Sequence, residues 1–331
     1  MQSDPSGPSA QFRGQESNHV NGRLSGVKVA LVGIYFPPEM TGIAPYNAAL
    51  AHALIDAGAS VHVITGVPHF PMWRTQEPYN HGMRFDEVSG RLRVSRRRHW
   101  VPREASLSGR AVLEATFMAN ATPTIVRSRS DVVVAVTPSL SGLAAAQLGR
   151  RGRPLGVIVQ DFTGDGASQT GTAGARASAA ITRIEQRLLR RADSVGVISP
   201  DLVGRATDAG VAPSKISLVP NFTHIDPVDV TTKQARSVLG WDQEIFTVVH
   251  TGNMGLKQGL HQVVDAARQA EQRGELINWV LVGDGNQRRA LEEQARGVAS
   301  IRFVDPLPED QYPYALAAAD VLLLKDRKSV V

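Results

Sequence analysis

Apolar runs of strand length alternate with segments of helical period along most of the chain. The run "VKVALVGIY" (27–35) is typical of a buried strand, "APYNAALAHALIDAG" (44–58) has helical spacing, and "SVHVIT" (60–65) is the next strand. This alternation predicts an α/β fold in which crossover helices join parallel strands. Further strands are predicted at "RLRVS", "DVVVAVT", "LGVIVQD", "SVGVIS" and "ISLVPN", and further helices at "LSGRAVLEATFMANATPTIVRS", "ARASAAITRIEQRLLRRA" and "SPDLVGRATDAG".

The periodicity pauses at 220–232, where two prolines and several turn residues predict a linker between two domains. After it, the strands "FTVVHTG", "WVLVGDG", "IRFVD" and "DVLLL" alternate with the helical segments "GLHQVVDAARQAEQRG", "NQRRALEEQARG" and "PEDQYPYALAAA". Residues 1–25 are rich in Ser, Gly, Pro, Asn and Gln, a composition that predicts a disordered leader. We therefore expect a leader over 1–25, a first domain over 26–222 and a second domain over 223–331.

The second series of elements is shorter than the first. Its last strand, "DVLLL", is followed only by "KDRKSVV", with no helix to cover it. Parallel sheets need cover on both faces, so we expect the sequence to stop inside the second domain. A naturally small second domain is the alternative.

Composition narrows the chemistry. The absence of cysteine excludes disulfides, thiolate metal sites and cysteine nucleophiles. The net charge is +5, and the densest basic segments are "RLRVSRRRHW" (91–100) and "GRRGR" (149–153). Such patches suit an anionic substrate or an anionic membrane surface, although a merely solvated face is an equal alternative. No apolar run approaches the roughly 18–20 residues needed to cross a bilayer.

The loop "FPPEMTGIAPYNAAL" (36–50) follows the first strand, at the edge of the sheet where doubly wound folds bind ligands. Thr41 and Gly42 fall at the start of the next helix. Backbone N–H groups and the helix dipole favour a phosphate there, and a glycine permits close approach. An ordinary structural turn is the alternative.

The segment "HTGNMGLKQGL" (250–260) places Lys257 among glycines, between a strand and a helix. It lacks the G-x-x-x-x-G-K-[ST] pattern of ATPases and the G-x-G-x-x-G pattern of dinucleotide-binding proteins. Lys257 is suited to neutralise a diphosphate, and a solvated surface lysine is the alternative.

In "VLVGDGNQRRAL" (280–291), Gly283 and Gly285 predict a tight turn between a strand and a helix. This turn either contacts a base or ribose or is a plain structural turn.

Two further loops carry candidate catalytic groups. In "IVQDFTGDGASQTG" (158–171), Asp161 and Asp165 are placed to accept hydrogen bonds from a sugar hydroxyl or to remove a proton, while a turn or cap role is the alternative for Asp161. In "TGVPHFPMW" (65–73), His69 is a candidate for the acceptor site or reaction centre, or a structural loop histidine.

No D-x-D, H-x-x-x-H or H-E-x-x-H pattern occurs, so no metal site is expected. The G-x-S-x-G elbow of serine hydrolases is also absent.

Taken together, these blocks resemble the family 4 glycosyltransferases of GT-B fold, and within them the bacterial exopolysaccharide enzymes of the colanic-acid type. The resemblance covers about 27–325. It rests on the order and spacing of "FPPEMTGIAPYNAALAHALIDAGASVHVITGVPHFP", "VQDFTGDG", "GVISPDLVGRATDAGVAPSKISLVPNF", "HTGNMGLKQGL", "LVGDGNQRRALEEQA" and "IRFVDPLPEDQYPYALAAADVLLL".

The resemblance implies a retaining transfer from a nucleotide-diphosphate sugar, without metal or cofactor, in a cleft between two Rossmann-like domains. It implies that the "MTGIAP" loop approaches the donor phosphates and that Lys257 grips the diphosphate, with Gly252, Gly283 and Gly285 nearby. Asn253 stands where the family often has a second cation. The family commonly has a histidine where this chain has Gln160-Asp161, which leaves the acceptor-side residue open.

The implied acceptor is a glycan or a lipid-phosphate-linked glycan, with no role for nucleic acid. The implied location is the cytoplasm, with peripheral contact at the inner membrane face left open. The family's second domain continues with a glutamate-containing, ribose-binding segment that has no counterpart before Val331. A truncated, impaired transferase is therefore expected. A nucleotide-sugar epimerase on the same scaffold and a non-catalytic nucleotide-binding fragment remain the alternatives.

Overall fold

The computed structural model describes residues 22–39, 42–69, 73–103, 107–163, 175–223 and 225–324. The chain divides into two compact units, Met1–Phe222 and Thr223–Val331. Ordered structure begins earlier than the composition suggests. The N–H of Leu24 donates to the carbonyl of Ala57 at 2.9 Å, and its side chain packs against the core. Residues 22–25 are therefore part of the first unit, whereas 1–21 lie outside the described residues.

The first unit contains an eight-stranded sheet in the order β3-β4-β2-β1-β5-β6-β7-β8. All neighbouring strands are parallel except β3 and β4, which are antiparallel. The strands are β1 (Lys28–Val32), β2 (Ser60–Gly66), β3 (Arg84–Ser89), β4 (Leu92–Arg97), β5 (Val132–Val136), β6 (Leu155–Val159), β7 (Ser194–Val197) and β8 (Ile216–Leu218).

Helices cover this sheet, and a core lies on each face. The helices are α1 (Ala44–Asp56), α2 (Leu107–Arg127), α3 (Leu140–Gly149), α4 (Ala175–Arg190) and α5 (Pro200–Asp208). Because successive strand residues point to opposite faces, Ala30 and Val32 join the core that contains Phe117 of α2. Val29 and Leu31 join the other core. This burial on both faces explains the continuous apolar run of the first strand.

The second unit contains a parallel sheet in the order β11-β10-β9-β12. Its strands are β9 (Phe246–Thr251), β10 (Ile277–Val282), β11 (Ile301–Val304) and β12 (Val321–Leu322), and its helices are α6 (Thr232–Leu239), α7 (His261–Gln272), α8 (Arg288–Gln294) and α9 (Tyr312–Ala317). One core contains Val249 and Ala315, and the other contains Met254 and Leu281.

The predicted alternation of strands and helices is confirmed in both units. Two elements escape the periodicity argument. The edge strand β3 reads "RFDEVS" and is exposed along most of its length, so it carries no apolar alternation. Helix α6 lies just after the pause in periodicity, and its signal is local chemistry instead. A capping box joins Thr231 to Gln234, and Gly240 ends the helix with φ 65°.

Candidate functional site

The loop after β1 presents the start of α1 without a side-chain cap. Gly42 adopts φ 65°, a left-handed conformation that favours glycine, and a Cβ there would meet open space. Ile43 occupies the cap position without a side-chain hydrogen bond to the helix. The first backbone N–H groups of α1 are thus not capped by that side chain. Thr41 lies outside the described residues.

His69, after β2, is fully buried beside this loop. Its ring stacks on Tyr35 with centroids 5.6 Å apart and meets the edge of His99 at 4.6 Å. Its backbone N–H donates to Oε1 of Glu39 at 2.9 Å. The sequence-predicted histidine is therefore held rigidly against residues 35–39 of the phosphate-candidate loop.

The hydrogen bonds of His69 define its tautomer. Nδ1 lies 3.1 Å from the carbonyl oxygen of Val67, which can only accept, so Nδ1 carries the proton. Nε2 is then an acceptor, and it has no partner among the described residues. Burial, and next the neighbouring His99, lower the pKa of His69 to about 3. At neutral pH the ring is uncharged and can accept, but not donate, a hydrogen bond through Nε2.

Asp161 follows β6 and is half-buried. Its Oδ1 accepts the N–H of Phe162 at 2.9 Å, and its carbonyl accepts the hydroxyl of Thr137 at 3.1 Å. The preceding Gln160 exchanges two amide hydrogen bonds with Asn221, at 3.0 and 2.7 Å. These contacts give Asp161 a turn-stabilising role, and its catalytic role stays a prediction. Asp165 lies outside the described residues.

In the second unit, the loops after β9 and β10 lie directly against each other. The N–H of Gly252 donates to Val282 at 2.9 Å, that of Met254 to Asp284 at 2.8 Å, and that of Gln287 back to Met254 at 2.9 Å. These backbone bonds join the two glycine-rich segments that the sequence singles out into one surface at the carboxyl edge of the sheet.

The glycines of these loops are needed for that contact. A Cβ at Gly283 would overlap the carbonyl oxygen of Gly252. A Cβ at Gly285 would stand 2.5 Å from the carbonyl oxygen of Met254 and 2.6 Å from Oδ1 of Asn253. Gly283 and Gly285 therefore allow the two loops to pack against each other, and their contact with a base or ribose stays a prediction.

Lys257 lies in a one-turn 3-10 helix, Leu256–Gln258, before α7. The carboxamide oxygen of Gln258 accepts the N–H of Gly255 at 3.2 Å, and Gly259 ends the turn with φ 59°. This turn sets the backbone of Lys257 beside the joined loops. The Lys257 side chain lies outside the described part of the structure, so its phosphate contact stays a prediction.

Three more residues support the joined loops and were not singled out from the sequence. Arg288 donates to the carbonyl of Gly283 at 2.9 Å and pairs with Asp305 at 2.7 Å. The hydroxyl of Tyr312 donates to Thr251 at 2.8 Å. His250 is buried, with Nδ1 3.1 Å from the carbonyl oxygen of Leu323. Each of the three lies within a segment quoted above, but their respective partners Asp305, Thr251 and Leu323 lie in other segments of the chain.

Among the described residues, no group of three His, Asp or Glu side chains is arranged to hold a metal ion. In the same part of the chain, no helix combines the length and the apolar character needed to span a bilayer.

Solved structures share the fold of this chain. Sucrose-phosphate synthase from Thermosynechococcus elongatus superposes with a TM-score of 0.68 and 18% identity, covering 91% of this chain and 76% of its own. HepE of Anabaena, solved in complex with UDP-glucose, gives a TM-score of 0.61 at 18% identity, over 90% of this chain and 74% of its own. The fold is GT-B, with two Rossmann-like domains.

The family comparison adds the specific assignment. Residues 41–221 match the glycosyl transferase 4-like domain, and residues 245–327 match glycosyl transferases group 1. The chain belongs to the family 4 glycosyltransferases. WcaI of Escherichia coli (strain K12), which is named as a colanic acid biosynthesis glycosyl transferase, is 27% identical over 319 residues, or 91% of this chain and 77% of WcaI. The resemblance inferred from the sequence motifs is confirmed.

Proposed function

We propose that this protein is a retaining, metal-independent glycosyltransferase. It moves a sugar, a hexose in this proposal, from a nucleotide-diphosphate donor to a glycan or lipid-phosphate-linked acceptor in exopolysaccharide biosynthesis. The observation that carries the proposal is the pair of glycine-rich loops joined by backbone hydrogen bonds at the carboxyl edge of the second sheet. That edge is where doubly wound sheets bind nucleotides.

The donor is assigned to the second unit. Lys257 supplies the cation for the diphosphate, because the turn Leu256–Gln258 sets its backbone beside the joined loops. Gly252 and Asn253 belong to the first of those loops, and Gly283 and Gly285 to the second. The UDP-glucose bound to HepE supports a nucleotide sugar as the class of donor.

The first unit receives the acceptor, and Thr41 and Gly42 bind the donor phosphates. Nε2 of His69 accepts a hydroxyl hydrogen bond, since it is an unprotonated acceptor with no partner among the described residues. Asp161 holds its turn and orients the acceptor. The name of WcaI supports an envelope polysaccharide as the product. The cytoplasmic face of the membrane is the location that fits both a soluble donor and a lipid-linked acceptor.

The test is to incubate the full chain with a panel of nucleotide sugars and a lipid-diphosphate-linked glycan acceptor, with and without EDTA. We expect transfer with an unchanged anomeric configuration by NMR, at the same rate in EDTA. An inverted product would contradict retention, and a loss of rate in EDTA would contradict metal independence. Isomerised nucleotide sugar without transfer would instead identify an epimerase. Nucleoside diphosphate binding with no turnover would identify a non-catalytic binding protein.

A further inference from the structure

A pocket of about 380 Å³ lies at the β3-β4 edge of the first sheet, and its lining is basic. Five arginines and one histidine form most of its wall, together with two hydroxyl side chains. These cationic and titratable residues are Arg84, Arg93, Arg97, Arg127, Arg129 and His62. Apolar side chains are absent from the described lining, so the pocket is not an extension of the core.

Strand register puts these residues on one face. His62 of β2 pairs with Arg93 of β4, and Arg97 of β4 pairs with Arg84 of β3. Arg93 and Arg97 are four residues apart in one strand, so they share a face. The end of α2 and the residues after it supply Arg127 and Arg129. His62 lies four residues before the end of β2, about 13 Å back along the strand from the edge that carries the candidate transferase loops.

The arginines next to this pocket divide into two groups. Arg97 is buried, pairs with Asp86 at 3.2 Å and donates to the hydroxyl of Thr124 at 2.7 Å. Arg96 and Arg98 likewise serve the structure by donating to backbone carbonyls. Part of the basic run at 91–100 is therefore structural. By contrast, among the described residues no carboxylate pairs with Arg84, Arg127 or Arg129.

The field inside the pocket is positive. Burial, together with the charges of Arg93 and Arg97, lowers the pKa of His62 to about 4, against the opposing effect of Asp86. Arg93 is half-exposed and lies 3.7 Å from Asp86, so one carboxylate is shared between two guanidinium groups. An anion in the pocket would relieve this excess of positive charge.

We propose that this pocket is a binding site for a phosphate group, separate from the donor and acceptor sites of the transferase. Guanidinium groups bind tetrahedral phosphate oxygens through paired hydrogen bonds, and several can serve one phosphate. The volume admits a phosphate ester but not a nucleic acid duplex. The phosphate belongs either to a soluble ligand or to a lipid headgroup, and the same chemistry serves both.

The test measures inorganic phosphate binding to the full chain by calorimetry at low salt. The variant Arg93→Gln/Arg127→Gln/Arg129→Gln removes three pocket charges and leaves the structural Arg97 in place. The matched control, Arg183→Gln/Arg187→Gln/Arg191→Gln, removes three charges from exposed positions on and just after α4. We expect the dissociation constant to rise about tenfold or more in the pocket variant only, since each charge-assisted hydrogen bond is worth about that factor. Phosphate should also raise the pKa of His62, followed by NMR.

Equal weakening in both variants, or no binding by the native chain, would overturn the proposal. Thermal melting of both variants checks that they remain folded. If the triple pocket variant is unfolded, the single variant Arg129→Gln is measured in its place. Co-sedimentation with phosphatidylglycerol and phosphatidylcholine vesicles identifies the source of the phosphate. Selective loss of phosphatidylglycerol binding in the pocket variant assigns a lipid headgroup, whereas phosphate binding without vesicle binding assigns a soluble ligand.

Discussion

Gly252 and Gly283 lie so close together that a Cβ atom at position 283 would overlap the carbonyl oxygen of Gly252. The two glycines belong to loops that follow neighbouring strands, β9 and β10. Their contact joins two sequence motifs that are about thirty residues apart into one candidate donor surface. The geometry of that surface therefore depends on a pair of positions rather than on either motif alone.

Replacing Gly283 by alanine is expected to disrupt this surface. The new methyl group would displace Gly252, and φ 137° is unfavourable for alanine. Overpacking of this kind costs about 1–3 kcal/mol of unfolding free energy, in addition to the backbone strain. Urea denaturation and calorimetric binding of a nucleoside diphosphate measure both effects.

The matched control is Gly297→Ala. Gly297 also has a positive φ, 81°, but a Cβ there meets open space. The Gly297→Ala variant therefore has the backbone strain without the steric clash. Position 297 also lies away from the joined loops. If both variants lost the same stability and bound ligand equally, the loop contact would have no special role.

Replacing Lys257 by alanine is expected to reduce kcat/KM for the nucleotide sugar by about 10- to 100-fold. The reason is the loss of a charge-assisted hydrogen bond to the diphosphate, worth roughly 1.5–3 kcal/mol. Lys257→Arg should retain part of the activity. Lys233→Ala is the control, because Lys233 is exposed in the same unit and pairs with Glu244. Unchanged kinetics in Lys257→Ala would remove Lys257 from the donor site.

His69 is expected to remain neutral at acidic pH. Its pKa in the folded state is about 3, below its ordinary value of 6.5, so the unfolded chain binds the proton first. The stability that this group contributes is complete above pH 6.5 and is lost as the pH falls toward 3. At pH 5 the loss is about 2 kcal/mol.

Denaturation of the native chain and of His69→Phe at pH 7.5 and pH 5 measures this effect. Phenylalanine preserves an aromatic ring beside Tyr35 but cannot titrate, so the variant should lose less stability on acidification. NMR should show His62, with a pKa of about 4, protonating before His69. Protonation of His69 near pH 6.5 would contradict its burial as a neutral ring.

Arg236 anchors the second unit, and its removal is expected to destabilise that unit strongly. The guanidinium group is buried, pairs with Asp320, and donates to the carbonyls of Ala318 at 2.9 Å and Gln243 at 3.1 Å. Arg236→Met leaves these acceptors unpaired, which costs about 3 kcal/mol or more. Differential scanning calorimetry should show a lowered melting transition. Arg273→Met, at an exposed ion pair, should change it little.

The ion pair between Arg236 and Asp320 also makes the stability of the protein depend on pH. Burial raises the pKa of Asp320, but the hydrogen bonds from Thr247 and Arg236 and the Arg236 charge outweigh it and hold the pKa below its ordinary value. The stability that the Asp320 carboxylate contributes is fully present above the ordinary carboxyl pKa. It is lost as the pH falls through the pKa that Asp320 has in the folded state. Asp320→Asn should therefore destabilise the protein at pH 7 more than at pH 3. Equal destabilisation at both values would show that the charge is unimportant.

Local pattern was enough to predict the α/β class, most elements and the loops of interest, since apolar periodicity reports burial directly. It failed for β3, whose edge position leaves a polar sequence. It left a ligand contact and a plain turn open for Gly283 and Gly285, and it did not predict that these glycines pack against the other loop. A Cβ at position 283 or 285 would clash with Gly252 or Met254, about thirty residues earlier in the chain. The segment "VGDG" by itself gives no sign of that contact.

The sequence by itself determined the family, the alternation of strands and helices, and the order of the candidate loops, because these depend on neighbours along the chain. Only the tertiary structure decided which side chains meet. It buried His69 as a neutral ring against Tyr35, divided the arginines of 91–100 into structural and exposed groups, and joined the loops of Gly252 and Gly283. Charge state and close packing depend on contacts between distant segments, and strand pairing brings those segments together.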